Sequence, residues 1–352
     1  MRIGTVLTIT LAVILAATAT AGARTWRILP DGSGDAATIQ AGIDSAAAGD
    51  CVVLSAGTYT GVGNRSIDFL GKAITVTSKD GRDVTIIDCQ GLGFGFAFHS
   101  GEGTSSVLSD VTIRNSTYVS PGAIRCEYSS PTISNNTIAG NYSTGIYCSG
   151  DYISPTISYN IITGNSNLYW AGGGGIHCSG AYSSPTISHN IITGNSALEM
   201  GGGIYCNNFC QAIIRYNTIS GNSAPFGGGI CLMLWSNVYI TNTIISFSSQ
   251  GEAVFCDKSG ATLKCCDVYG NAGGDWGPCI AYQLGLNGNF SADPKFCHRW
   301  DGDYCIDYSS PCTPGNNPYG YDCGLIGASG VGCERPTGIQ PTTWGRIKTM
   351  FR

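Results

Sequence analysis

A three-part repeat constrains what this chain can fold into more than any other feature. Gly-Ile-x-Cys occurs at Gly145–Cys148, Gly175–Cys178 and Gly203–Cys206, shortens to Gly229-Ile-Cys231 and fades at Ala253–Cys256. Pro-Thr-Ile-Ser occurs at Pro131–Ser134, Pro155–Ser158 and Pro185–Ser188, then decays to Ala212–Arg215 and Val238–Ile240. Asn-x-Ile-x-Gly-Asn spans Asn136–Asn141, Asn160–Asn165, Asn190–Asn195 and Asn217–Asn222. The first asparagines lie 24, 30 and 27 residues apart, and Asn242 follows after another 25. Periods of this length belong to solenoids, propellers and arrays.

The content of one period chooses among these. Each holds two or three runs of three to five residues rich in Ile, Thr and Tyr, separated by Gly, Asn, Ser or Pro. A propeller blade needs ~40–45 residues, which is too long. Helical repeats fail because β-branched residues and glycine dominate and no 3.6-residue period appears. Three short strands per turn give an all-β, right-handed parallel β-helix of about nine coils. In that arrangement Ile146, Ile176, Ile204 and Ile230 stack inward at the strand spacing of about 4.8 Å. Asn136, Asn160, Asn190, Asn217 and Asn242 form an internal ladder at one corner, and coil-length variation falls in loops such as 171–175. Thr38–Ala48 reads as the single helix, with Ile39, Ile43 and Ala46 on one face, placed to cover the open first coil.

Composition agrees. Glycine is 51 of 352 residues and charged residues only 12%, against ordinary values of about 7% and about 25%. A net charge of −5 gives no basis for nucleic-acid binding. Residues 1–23 read as a secretory signal: Arg2, an apolar run from Val6 to Ala17, and Ala21-Gly22-Ala23 with cleavage after Ala23. Secretion or display at the cell surface follows, with no membrane-spanning segment expected in the mature chain. Seventeen cysteines in an exported chain imply disulfides, and eight of them crowd the segment from Cys265 to Cys333. The expected organisation is a signal peptide (1–23), a solenoid with its N-terminal cap (24–275), a cysteine-rich closing segment (276–333) and a linker with a short tail (334–352). In that tail Trp344, Ile347, Met350 and Phe351 sit beside Arg346, Lys348 and Arg352, which reads either as a sorting tag or as a frayed end.

Two resemblances sharpen this. Asp31–Asp35, Thr38-Ile-Gln40 and Ala48–Tyr59 resemble the start of the pectin-lyase-like right-handed β-helix superfamily. The Gly194–Ile204 and Gly221–Ile230 stretches resemble the repeats of chlamydial polymorphic outer-membrane proteins. The first resemblance implies that lyase, glycosidase or esterase chemistry is possible, with acidic residues holding Ca²⁺ beside a base in the lyases. That chemistry needs converging carboxylates. Between Tyr128 and Gln250, however, the only charged residues are Asp151, Glu199 and Arg215. The glycosidase motifs are missing: each Asn-Thr pair is followed by Ile, and no Asp-Asp pair occurs.

The remaining catalytic candidates are Asp110, Arg114, Arg125 and Glu127, which fall within one or two coils. Asp301, Asp303 and Asp307 lack a full metal-loop pattern and read as a turn. Cys206-x₃-Cys210 lacks zinc partners, so no metal site is assigned. Tyr147, His177 and Tyr205 occupy matching positions beside the inward isoleucines, so they should face out as a column suited to sugar rings. The resulting expectation is a non-catalytic extracellular solenoid contacting a polysaccharide or cell-surface glycan, without a cofactor. Two alternatives stand beside it: a lyase or hydrolase of acidic polysaccharides, with Ca²⁺ entering only in the lyase case, and a purely structural solenoid.

Overall fold

The structure, a computed structural model, describes residues 22–333 apart from 118 and 169–171. The sorting-tag residues of the tail lie outside the described residues, as does nearly all of the signal segment. The chain winds into a parallel β-solenoid of about nine turns with three long sheets. Sheet A has ten strands, from Thr25–Ile28 to Gly260–Lys264. Sheet B has nine, from Gly57–Tyr59 to Asp267–Tyr269. Sheet C has eight, from Ile67–Asp68 to Val254–Asp257. Each turn runs A, B, C, and identical residues pair in register from coil to coil.

That register explains the repeat. Ile146, Ile176, Ile204 and Ile230 are Cα partners in sheet C and fully buried, as expected. Cys126, Cys148, Cys178 and Cys206 form a second inward column two residues on. Successive strand residues alternate sides, so Ile and Cys in Ile-x-Cys both point inward. These periodic cysteines are free thiols acting as small core residues. Hydrogen bonds between neighbouring thiols, together with burial, hold Cys148, Cys178 and Cys206 well above the ordinary thiol pKa. Disulfides occur only near the C-terminus, at Cys256–Cys279, Cys265–Cys323 and Cys297–Cys333.

Two asparagine ladders hold the corners. At the A-to-B corner Asn136 donates its backbone and side-chain N–H groups to Asn160 Oδ1 (2.9 and 3.2 Å). Asn160 does the same to Asn190, and Asn190 to Asn217. The expected fifth member, Asn242, is displaced by one position. Ile245, not Ile244, pairs with Ile219, so Thr243 receives the Asn217 N–H, while Asn242 donates to the carbonyls of Cys323 and Leu325. A second ladder, Asn141–Asn165–Asn195–Asn222, occupies the B-to-C corner. Each buried amide is thereby satisfied, and an unsatisfied one costs ~1–3 kcal/mol.

The ends differ from one another. The helix is shorter than expected, Ile39–Ser45, with Thr38 as N-cap and Ile39 and Ile43 buried. At ~1.5 Å per residue it spans only ~10 Å. It shares the first coil with Thr25–Ile28, so a cap made by the helix alone is not what this end shows. At the other end the cysteine-rich segment turns back along the outside of sheet B. Gly327 N donates to Asn242 O, Ala328 N to Thr218 Oγ1, and Tyr304 hydrogen-bonds Thr193. No helix among the described residues is long and apolar enough to cross a membrane.

Candidate functional site

The four charged candidates do not converge. Asp110 sits at the A-to-B corner with φ +60° and accepts from Thr77 Oγ1 at 3.3 Å. It lines a recess of about 310 Å³ with Asp80, Arg82, Asp83 and Asn135. Arg82 is not a free base there: its guanidinium donates to the carbonyls of Asn136 (3.3 Å) and Tyr159 (3.0 Å). Burial pushes it below the ordinary guanidinium value. Arg114 lies on sheet B, paired with Asp88 at 3.0 Å. Burial alone would raise the Asp88 carboxyl, but Asn115, the Gln90 N–H and Arg114 outweigh it and hold it low. Arg125 and Glu127 lie on sheet C and grip each other at 2.8 and 2.9 Å. The four residues thus occupy two different sheets and a corner.

Tyr147, His177 and Tyr205 are adjacent as expected, with ring centroids 5.1 and 4.8 Å apart. The column is nevertheless not an open platform. His177 is 8% and Tyr205 5% exposed, because the glycine-rich loops between sheets B and C lie over them. A Cβ at Gly172 would collide with the Tyr205 ring, and one at Gly173 with His177 Cβ. These loops stack on one another through backbone bonds, Gly173 N to Met200 O and Gly174 N to Gly201 O, an approach only glycine permits. Burial pushes His177 down to about 4, so it is neutral near pH 7, with Asn207 Oδ1 at 3.4 Å as its polar neighbour.

Open aromatic surface lies elsewhere, along both edges of sheet A. On the C-to-A corner Tyr128, Tyr152, Tyr182, Phe209 and Trp235 follow one another in consecutive coils, each 49–75% exposed. Each has a left-handed backbone, with φ from +51° to +66°. For side-chain-bearing residues that conformation costs ~1–2 kcal/mol, and bulky residues adopt it rarely. The conformation belongs to the corners in general, since Leu70, Asp110, Asn135 and Lys258 share it; what sets these five coils apart is that an exposed ring occupies the corner. Tyr152 and Tyr182 stack at 5.5 Å with an 18° interplanar angle. On the A-to-B corner Tyr159, His189 and Tyr216 make a second row, stacked at 4.6 and 5.0 Å and also left-handed.

Alternation alone points to Tyr147, His177 and Tyr205, on sheet C, and not to the C-to-A row that runs from Tyr128 to Trp235. The second row had a readable signal, since each member immediately precedes a ladder asparagine: Tyr159-Asn160, His189-Asn190, Tyr216-Asn217.

The family described as "Right handed beta helix region" matches residues 50–202 and 122–277. No curated protein matches the chain. Among solved structures, pectate lyase Pel9A is similar with a TM-score of 0.39 and 12% identity over 89% of this chain and 97% of that one. A mutant of the PL6 family alginate lyase AlyGC gives 0.26 and 11% over 84% and 57%. Likenesses this distant carry no statement about chemistry. With the family match extending over more than half its length, and with three parallel sheets wound in register, the chain belongs to the right-handed β-helix family.

Proposed function

We propose that this protein is an exported, non-catalytic solenoid that contacts glycans at or beyond the cell surface. One observation carries the reading: five exposed aromatic residues, Tyr128 to Trp235, occupy strained left-handed corners in consecutive coils. Aromatic rings with an apolar face and a polar rim suit sugar contact. Export is supported by the residue 1–23 signal pattern and by three disulfides, which belong to oxidising compartments. The lyase alternative is disfavoured by the dispersal of Asp110, Arg114, Arg125 and Glu127.

The test is retention of purified mature protein on a panel of immobilised polysaccharides, with a parallel assay for double-bond formation and reducing ends, in Ca²⁺ and in chelator. Retention on at least one polymer is expected, reduced at least tenfold in Tyr152→Ala/Tyr182→Ala, without turnover. Turnover abolished by Asp110→Ala or Glu127→Ala would overturn the reading, and absence of retention on every polymer would leave a purely structural solenoid.

A further inference from the structure

Between the two aromatic rows lies the outward face of sheet A, and its chemistry narrows the ligand. The strands Thr132–Ser134, Thr156–Ser158 and Thr186–Ser188 pair in register. Their isoleucines point inward, so the flanking residues point out: a partly exposed threonine column (Thr132, Thr156, Thr186) beside Ser134 and Ser158, with Ser188 at the end of the serine column buried at 6% exposure. Hydroxyls therefore recur at the coil spacing of about 4.8 Å and, along each strand, at about 6.6 Å. Tyr128, Tyr152 and Tyr182 flank this grid on one side, Tyr159, His189 and Tyr216 on the other.

The grid is uncharged. Its nine strand residues carry no ionisable side chain. The Arg82 guanidinium reaches its edge but donates to the Asn136 and Tyr159 carbonyls. Asp151, in the C-to-A corner, accepts the Ala181 N–H at 2.7 Å. Arg215 enters only in the next coil, where Ile213 and Arg215 replace the Thr and Ser. A polyanion needs opposing cations at each repeat, whereas these three strands have only Arg82 at one edge and Arg215 in the coil beyond. A neutral chain needs what is present: hydroxyls that donate and accept, and flanking rings for the apolar faces of its sugars.

We infer that the outward face of sheet A, between the two aromatic rows, binds a neutral, hydroxyl-rich polysaccharide whose chain lies along the solenoid axis. This rests on the glycan-contact reading above and narrows it by excluding uronate polymers as ligands of this face. The coil spacing is close to the length of one extended hexose unit, so two successive sugars meet equivalent side chains at Thr156 and Thr186 and at the stacked Tyr152 and Tyr182.

The experiment compares retention on an insoluble neutral β-glucan with retention on polygalacturonate beads, at low and high salt. The wild type is compared with Thr156→Arg/Thr186→Arg, with circular dichroism and thermal unfolding as folding controls. Binding to the neutral polymer is expected to be insensitive to salt, because no ion pairs form. The double variant raises two long cations above a flat face and is expected to lose at least tenfold in retention on the neutral polymer. Retention of the wild type only on polygalacturonate, released by salt, would overturn this inference and leave the broader proposal standing. Neutral binding unchanged in the folded double variant would also overturn it. No retention on either polymer, or on the wider panel, would overturn both readings.

Discussion

The middle coils and the C-terminal segment use the same amino acid in opposite ways. Cys126, Cys148, Cys178 and Cys206 are buried free thiols in a regular column, whereas Cys256, Cys265, Cys279, Cys297, Cys323 and Cys333 are all cross-linked. In the middle, stacking of identical coils supplies continuous burial and two amide ladders, so a thiol only has to fill space. The C-terminal segment has no repeat to stack. It folds back over sheet B around a small apolar cluster of Ile244, Phe290, Ile306, Cys312 and Ile326, keeps Cys266, Cys305 and Cys312 as free thiols, and adds three covalent bonds. Where coils repeat, packing alone holds the chain; where they do not, a smaller core is supplemented by cross-links.

The two regions should also respond to pH with opposite sign, and this is the largest effect expected. Asp267, buried beneath the returning segment, accepts the Ala292 N–H and the Cys312 thiol, and burial pushes it up to about 8. Its folded value lies above its unfolded one, so stability is full below pH 4 and falls as pH rises through 8. The linkage is ~1.4 kcal/mol per pH unit, up to roughly 5 kcal/mol over that window. His177 in the middle coils is held down to about 4, so stability there is full above pH 6.5 and falls as pH drops through 4, by roughly 3 kcal/mol. Hydrogen exchange read separately over 126–222 and 265–333 should show the C-terminal amides losing protection as pH rises from 4 to 8, and the middle ones as it falls from 6.5 to 4. Asp267→Asn should flatten only the C-terminal change. Parallel responses in both regions would break the comparison.

Next in size is the covalent contrast. Cys265→Ser/Cys323→Ser removes the link that closes 58 residues, and a loop of that size predicts a loss of about 4 kcal/mol. The loss should appear as exposure of the 290–333 amides, with the middle coils unchanged. Asn190→Ala sharpens the other side. It strands the Asn160 backbone N–H and the Ile157 carbonyl in the interior, and a loss of about 1–3 kcal/mol in urea unfolding is expected. The smallest effect belongs to Cys178→Ala, which removes a space-filling sulfur and its weak thiol contacts with Cys148 and Cys206: about 1 kcal/mol, with the thiol count by mass spectrometry falling by one and no disulfide disturbed.

Most of the architecture was readable because the repeat writes inward and outward positions in fixed letters. Ile146 and its partners, and the ladder from Asn136 to Asn217, follow from spacing alone. Asn242 did not, because its Asn-Thr-Ile matches by letters while the extra Ile of Ile244-Ile245 shifts the pairing by one. The candidate site was less legible for two physical reasons. Alternation predicts that Tyr147, His177 and Tyr205 point out, but it is silent on the glycine loops that then fold over them. Nor does any local propensity rule place Tyr152 or Trp235 in a left-handed corner, since that conformation disfavours bulky residues. The corners adopt it throughout the solenoid, at Leu70, Asn135 and Lys258 as well, so which rings stand on them is visible only once the coils are wound.

In-register stacking makes the molecule a ruler graduated in coils. Its length is set by how many repeats the gene encodes, about 4.8 Å for each. Duplicating or deleting one period, such as residues 160–189, would keep each inward column and both amide ladders continuous while lengthening or shortening the exposed edge by one step. Reach can therefore change by unequal recombination between near-identical segments, in whole increments, without any new side chain being needed.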